Sequence, residues 1–220
     1  MSFTRYKSLE DKVVLISGGA SGIGESFVRA FAANGARVAF LDLQQDAGAA
    51  LAKELAGSKH APLFLHCDIT DTTALKAAIR EANQKLGPAS VMVNNAANDQ
   101  RQHFADVTPD ELDQTLAVNF RHVYFACQAV VPQMIAAGGG SIVNMSSMAW
   151  IAGAPNLAAY ASAKAAIVGL TIRSPARWGR TASGSTRSRP ARCSPIVSAS
   201  CGFRARRRSR RPARRNVCPT

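Results

Sequence analysis

The chain has 220 residues, 47% of them hydrophobic and 19% charged, which suits one ordinary globular domain. Its formal net charge of +13 is unevenly placed: Arg173 to Thr220 holds fourteen arginines and no acidic residue, so the first 172 residues carry a net −1. There is no apolar stretch long enough to span a membrane, no signal peptide, and no metal or disulfide spacing among the five cysteines, so the expectation is a cytosolic protein that is neither membrane-bound nor zinc- or disulfide-stapled.

Val13 to Ile16 (VVLI) is a short apolar run, read as a buried parallel strand. It leads into Ser17-Gly18-Gly19-Ala20-Ser21-Gly22-Ile23-Gly24, and a helical pattern follows from Glu25 to Asn34. Strand, glycine-rich turn and helix form the setting in which such a loop binds a dinucleotide. Gly18 permits the tight turn, Gly22 lets backbone approach a pyrophosphate, and Gly24 allows close helix packing. The helix start, at Ser21 to Gly24, would meet the phosphates with free N–H groups and a favourable dipole. The spacing is G-x3-G-x-G.

A second strand, Arg37 to Leu41, ends at Asp42, about twenty residues beyond the glycine loop, where an acid can hold a ribose 2′-hydroxyl. A carboxylate there repels a 2′-phosphate and no basic residue adjoins it, so NAD is expected over NADP. The other role open to Asp42 is to cap the following helix.

Leu51 to Leu55 fits an amphipathic helix and Pro62 to Leu65 a third strand. Thr72 to Leu86 is predicted helical, stopping at Gly87-Pro88. Thr108-Pro109-Asp110-Glu111 carries a capping threonine, a first-turn proline and acids, and the helix it starts runs toward Ala136 and ends in Gly138-Gly139-Gly140. Strands alternating with helices predict an α/β fold, a doubly wound parallel sheet of Rossmann type with helices on both faces. Cys67 and Cys127, in apolar settings, are expected to be buried packing residues.

Leu157 to Thr171 is alanine-rich and proline-free, and reads as helix. It places Tyr160 and Lys164, four residues apart, on one face. A lysine ammonium beside a phenol favours the phenolate, which makes a general base for an alcohol proton, or an acid in reverse. Ser147, thirteen residues before Tyr160, can hold the reacting oxygen. Ser146 is a rival, but on a strand end it points to the opposite side.

From about Leu9 to Gly179 the chain resembles the classical short-chain dehydrogenase/reductase family. The resemblance rests on the glycine loop with Ser17 in the usual threonine position, on Cys67-Asp68-Ile69, and on Val93-Asn94-Asn95-Ala96-Ala97, where Ala97 replaces a glycine. It continues through Ala117-Val118-Asn119-Phe120, Ser141 to Ser147, Tyr160 and Lys164. It implies hydride transfer between a nicotinamide and a carbinol carbon. Tyr160 would be the acid/base, Lys164 its activator and a ligand to the nicotinamide ribose. Ser147 would hold the substrate oxygen, and Asn119 would support a water leading to Lys164. Asp68 and Ile69 would meet the adenine, and Asn95 and Ala96 would border the cofactor. No metal is implied. A homo-oligomer, commonly a tetramer built on the helices holding Asn119 and Tyr160, is expected if the C-terminal part is intact.

Substrate recognition is expected in the loops beyond the strand ends. Asn98 to His103 (NDQRQH) is unusually polar, and Trp150, Pro155 and Asn156 follow the serine. Polar donors such as Asp99 and Asn156 with an indole suit a polyhydroxylated ring, and the loops look like those of NAD-dependent aldose 1-dehydrogenases, the type that oxidises D-xylose or L-arabinose to a lactone. Another secondary alcohol or a 3-oxoacyl substrate is the alternative within the family. The competing view makes Asp99, Arg101 and His103 ordinary solvated loop residues.

The chain is thus expected to divide into a dinucleotide-binding domain, 1–179, and an arginine-rich stretch, 180–220. By composition that stretch is disordered. A nucleic-acid tail is disfavoured because Trp178 and Phe203 are its only aromatics after Arg173. A shifted reading frame is favoured. One permitted back-translation of Arg180 to Pro195, read two bases later, gives DGIRVNAIAPGAVLT, the family's sixth-strand signature. On that view the shift begins near Gly179, Cys193, Cys201 and Cys218 are accidents of frame, and the sheet lacks its last strands. The exposed edge would then favour aggregation and leave little turnover, an inactive remnant being the limiting case.

Overall fold

The computed structural model describes residues 5–173 and 192–198. The chain alternates strands and helices: β1 (Val13–Ser17), α1 (Gly22–Ala33), β2 (Arg37–Asp42), α2 (Gln45–Glu54), β3 (Leu63–His66), α3 (Thr72–Leu86) and β4 (Val91–Asn94). Then come α4 (Pro109–Leu116), α5 (His122–Ala136), β5 (Ser141–Ser147), the short α6 (Ala149–Ala152), α7 (Ala158–Arg173) and β6 (Arg192–Ser198). The strands form one parallel sheet in the order β3-β2-β1-β4-β5-β6.

Both faces of the sheet are covered, which explains why β1 is buried at all five positions instead of alternating. Side chains one residue apart still go to opposite faces. Val14 and Ile16 join Val38 and Phe40 against Val28 of α1 and Leu51 of α2. Leu15 joins Leu41, Met92 and Ile142 against α3, α5 and Ile167 of α7. Arg29 clasps α1 to α2 through Glu54 (Nη1–Oε1 2.6 Å) while also pairing with Glu25.

The predicted helix signals are realised as caps. Asp71 accepts from the N–H groups of Thr73 and Ala74 at the start of α3, and Gly87, at φ +94°, ends that helix. Thr108 and Glu111 form a reciprocal capping box, with Pro109 at the first turn of α4. The helix from Pro109 does not run unbroken to Ala136. A π turn, Ala117–Arg121, separates α4 from α5, and the His122 N–H reaches back five residues to the Ala117 carbonyl.

The sheet does not end at β5. Arg192–Ser198, within the span read as a structureless tail, pairs in parallel along the whole of β5, from Ser141↔Arg192 to Ser147↔Ser198. An open strand edge pairs through backbone groups, which makes few demands on side chains. Pro195, opposite Asn144, has no N–H to donate, as an edge strand tolerates. The expected shift point at Gly179, Trp178, Phe203, Cys201, Cys218 and most of the arginines lie outside the described residues.

From β1 the strand order runs outward to β2 and β3 on one side and to β4, β5 and β6 on the other. The crossovers therefore diverge between β1 and β4, opening a crevice at the carboxyl ends of those strands. The glycine loop leaves β1 there.

Candidate active site

Each glycine of the loop answers a different constraint. Gly18 has φ +67°, and a Cβ on it would lie 2.7 Å from the Ala96 Cα. Gly24 packs so closely that a Cβ would run into the Gly18 carbonyl oxygen and come within 2.7 Å of the Asn95 amide. Gly22 has φ +58°, yet a Cβ there would meet nothing within 4 Å. It is the position with open space above its backbone, as a phosphate contact needs. The Ser21 side chain makes no capping hydrogen bond to α1, so the first-turn N–H groups keep no side-chain partner there. Ile23, 45% exposed, projects from that turn.

The end of β4 locks onto this loop. The Ser17 hydroxyl accepts from the N–H groups of Asn95 (3.1 Å) and Ala96 (3.2 Å), and the Asn95 amide donates to the Gly18 carbonyl (2.9 Å). A cleft of about 550 Å³ opens beside it, lined among others by Gly18, Asp42, Asp68, Ile69, Asn95 and Ala96. Among the described residues its lining contains two carboxylates and no basic side chain. Asp42 is buried, with Oδ2 accepting from the Ala20 N–H (2.8 Å) and Oδ1 from the Gln44 N–H (2.9 Å). It thus ties the glycine loop to the entry of α2, and each oxygen retains a lone pair for a ribose hydroxyl. Cys67 also lines the cleft, and burial, with Asp68 and Asp71 nearby, pushes its thiol up to about 11, so it remains an unreactive thiol.

Ser147, Tyr160 and Lys164 lie at the carboxyl end of β5 and in the first turns of α7. Ser147 is half-buried, and its hydroxyl accepts a 3.2 Å bond from the Ala149 N–H. Ser146 is 1% exposed and donates to the Lys164 carbonyl at 2.8 Å. The pleat therefore separates the two serines as the strand reading expects, with Ser146 tied into the interior. Lys164 is 2% exposed, its Nζ donating to the Met145 carbonyl (2.9 Å) and lying 5.5 Å from the centre of the Tyr160 ring. Burial pushes its ammonium down to about 8.

Asn119 sits in the π turn, 1% exposed. Its Oδ1 accepts from the Asn98 N–H (3.0 Å), and its Nδ2 donates to the carbonyls of Asn98 (2.9 Å) and Thr115 (3.0 Å). The side chain thus pins the loop after β4 onto the turn, and both its donors are spent there. The loops expected to face substrate do meet. The Gln102 N–H donates to the Asn156 carbonyl (2.9 Å), and Arg101 Nη1 donates to the Pro155 carbonyl (3.2 Å). Asn156 has φ +59°, a left-handed conformation that asparagine tolerates better than most residues. Asp99 is exposed on the first loop, and Trp150, 39% exposed, stands on α6. His103 is a surface residue, 3.4 Å from Asp106.

Two features escape the motif reading. One is a buried polar ladder. Asn94 donates to Asn144 Oδ1 (2.8 Å), Asn144 donates to Thr171 (3.0 Å), and Thr171 donates to the Ile167 carbonyl (2.7 Å). It joins β4, β5 and α7, and its signal is an asparagine following an apolar run in each of two strands, VMVN and SIVN. The other is His122, 1% exposed, with neither ring nitrogen hydrogen-bonded. Among the described residues no cluster of His, Cys, Asp and Glu could hold a metal ion, and no helix is long and apolar enough to cross a membrane.

Comparison with known proteins agrees with this geometry. The short chain dehydrogenase family matches residues 12–181. A protein named "Probable galactose dehydrogenase GalD" from Rhizobium meliloti is 47% identical over 169 residues, 76% of this chain and 66% of that protein. D-xylose 1-dehydrogenase from Caulobacter vibrioides is 44% identical over 171 residues, 78% of this chain and 67% of that protein. The matched stretch thus spans about two thirds of each relative's length. The crystal structure of a short chain dehydrogenase from Mycobacterium smegmatis superimposes with a TM-score of 0.80 at 27% identity, covering 90% of this chain and 81% of that one. The glycine loop, the parallel sheet and the extent of these matches agree: the chain belongs to the short-chain dehydrogenase family of oxidoreductases.

Proposed function

We propose that the protein oxidises an aldose at C1 to the lactone, with NAD as the hydride acceptor. The observation that carries this reading is the pairing of Tyr160 with the buried Lys164 on α7, with Ser147 at the carboxyl end of β5. When bound, NAD supplies the carbon that receives the hydride. Tyr160 takes the proton of the C1 hydroxyl, and the Lys164 ammonium favours the phenolate that does so. Ser147 donates to the reacting oxygen and holds it at that position. Asn119 acts at one remove, keeping the π turn and the Asn98 loop in register.

Gly22, Ser21 and the first turn of α1 would receive the pyrophosphate, Asp68 and Ile69 the adenine, and Asp42 the adenosine ribose. The absence of basic side chains from the cleft lining among the described residues, with Asp42 in that lining, supports NAD over NADP. The joined loops of Arg101–Gln102 and Pro155–Asn156, with Asp99 and Trp150 nearby in sequence, supply hydrogen-bonding groups and an apolar face for a sugar ring. The sugar-named relatives support the same substrate class. The test is NADH formation across a panel of aldoses and plain secondary alcohols, with Tyr160→Phe as control. Turnover of the alcohols alone would reject the sugar, and undiminished turnover in Tyr160→Phe would reject the acid/base.

The shifted frame from near Gly179 remains part of the proposal, supported by the back-translated GIRVNAIAPG and by a family match that runs to residue 181. Sequencing the coding DNA from the Lys164 codon onward tests it, and a DNA sequence that encodes this chain in one uninterrupted frame, with no neighbouring frame carrying the signature, would reject it.

A further inference from the structure

Arg121 closes the π turn, two residues after Asn119. It is exposed, yet its Nη2 donates to the Thr70 carbonyl at 3.1 Å. Thr70 belongs to the loop 67–71 between β3 and α3, and Cys67, Asp68, Ile69 and Thr70 all line the cofactor cleft. That loop is tied at both ends: the Cys67 N–H donates to the Asp42 carbonyl (3.0 Å), and Asp71 caps α3. Within it, the N–H (2.8 Å) and hydroxyl (2.7 Å) of Thr70 both donate to Asp68 Oδ1, a turn held by its own side chain. What joins it by a side-chain hydrogen bond to the other side of the cleft, among the described residues, is Arg121.

In the strand order β3-β2-β1-β4, the loop after β3 and the loop after β4 stand on either side of β2 and β1. Thr70 is on the first and Asn98 on the second, and both line the cleft, as does Val118 of the π turn. Asn119 already grips Asn98 at its N–H (3.0 Å) and its carbonyl (2.9 Å). Residues two apart on a helical turn point to nearly opposite sides, so one turn can reach both loops. We propose that Arg121 is a positioning residue for the adenine side of the cleft, making the π turn, with Asn119, a brace that fixes the separation of the loops at Thr70 and Asn98. This rests on the dinucleotide assignment above. A guanidinium-to-carbonyl bond is charge-assisted and stronger than a neutral one. Without it the loop 67–71 spends less time in the arrangement that fits the ligand, and the apparent affinity falls by that fraction. Arg121 is not among the residues lining the cleft, so its route to the ligand is the loop it holds. An effect of its charge alone would pass through solvent and be screened by salt.

The test uses the 220-residue chain and ADP-ribose, which carries adenosine and pyrophosphate without nicotinamide, so it needs no sugar. By calorimetry Arg121→Met should bind ADP-ribose about tenfold more weakly with Tm unchanged, and Arg121→Lys, which keeps a donor, should recover part of the loss. The ratio to the parent should be the same in dilute buffer and at about 0.5 M salt. Amide hydrogen exchange without ligand should quicken at Thr70 and Asp71 in Arg121→Met, and not along α5. Equal affinity in Arg121→Met and the parent overturns the proposal. So does a loss that salt abolishes, or one accompanied by faster exchange throughout α5 or by none at Thr70. Should Arg121→Met fail to fold, Arg121→Gln, whose shorter side chain falls short of the carbonyl, is judged by the same measurements. ADP-ribose that does not bind the parent would bring down the dinucleotide reading and the brace together, whereas binding that is merely indifferent to Arg121 brings down the brace alone.

Discussion

Lys164→Met should stabilise the protein while ending its chemistry. In the fold the ammonium is 2% exposed and its pKa falls from 10.5 to about 8 through burial. At roughly 1.4 kcal/mol per unit, that shift corresponds to about 3 kcal/mol of destabilisation at neutral pH. Methionine fills the same channel without charge but gives up the bond to the Met145 carbonyl, a loss of about 1 kcal/mol. A net gain of about 1–2 kcal/mol is expected in urea unfolding at pH 7. The sign follows from where the proton sits. Between about pH 8 and 10.5 the unfolded lysine keeps a proton that the folded one has released, so stability rises with pH through that window. Below pH 8 the penalty is fully present, and above 10.5 it is gone. The advantage of Lys164→Met should therefore shrink as the pH is raised through the window. A variant less stable than the parent at pH 7, with a difference independent of pH, would refute the reasoning.

Other substitutions separate chemistry from support. Gly24→Ala, whose methyl would strike the Gly18 carbonyl, should lose NAD binding along with stability, whereas Gly22→Ala should cost only about 1 kcal/mol of left-handed strain but weaken NAD in calorimetry. Ser147→Ala should lower kcat by about a hundredfold or more with Tm unchanged, and Ser146→Ala, which loses the bond to the Lys164 carbonyl, should lower stability by about 1 kcal/mol. His122 is held neutral by burial, down to about 3 from 6.5, so the unfolded chain takes up the proton first and stability should fall as pH drops from about 6.5 toward 3. His122→Asn, which removes that titration, should move the acid-unfolding midpoint to lower pH in circular dichroism.

What the chain's pattern disclosed was what local physics controls. The unbroken apolar run of β1, the Asp71 and Thr108 caps and Gly87 each announce an element from within a few residues, and their positions agree with the structure. The spacing of Tyr160 and Lys164, and the alternation of Ser146 and Ser147, follow from helix and strand periodicity. The π turn did not show, because Ala117–Arg121 continues a helical composition and its register is set by Asn119 holding the loop at Asn98. His122 did not show either, since a histidine's burial depends on which helix packs across it. Asp42 borders the cleft and ties the glycine loop to the entry of α2, but it does not cap that helix, whose N-cap is Gln44. The sixth strand was missed because pairing on an open edge is a backbone event, indifferent to the composition used to read the tail as structureless.

The most direct test of the account is the initial rate of NAD reduction with D-xylose, L-arabinose and D-galactose, measured on the 220-residue chain and on one whose frame is restored from near Gly179. The account predicts NADH and lactone from the restored chain, far less from the chain as it stands, and neither from the restored chain carrying Tyr160→Phe. A restored chain that binds NAD but leaves every aldose untouched, or one that keeps its rate without the Tyr160 hydroxyl, would contradict it.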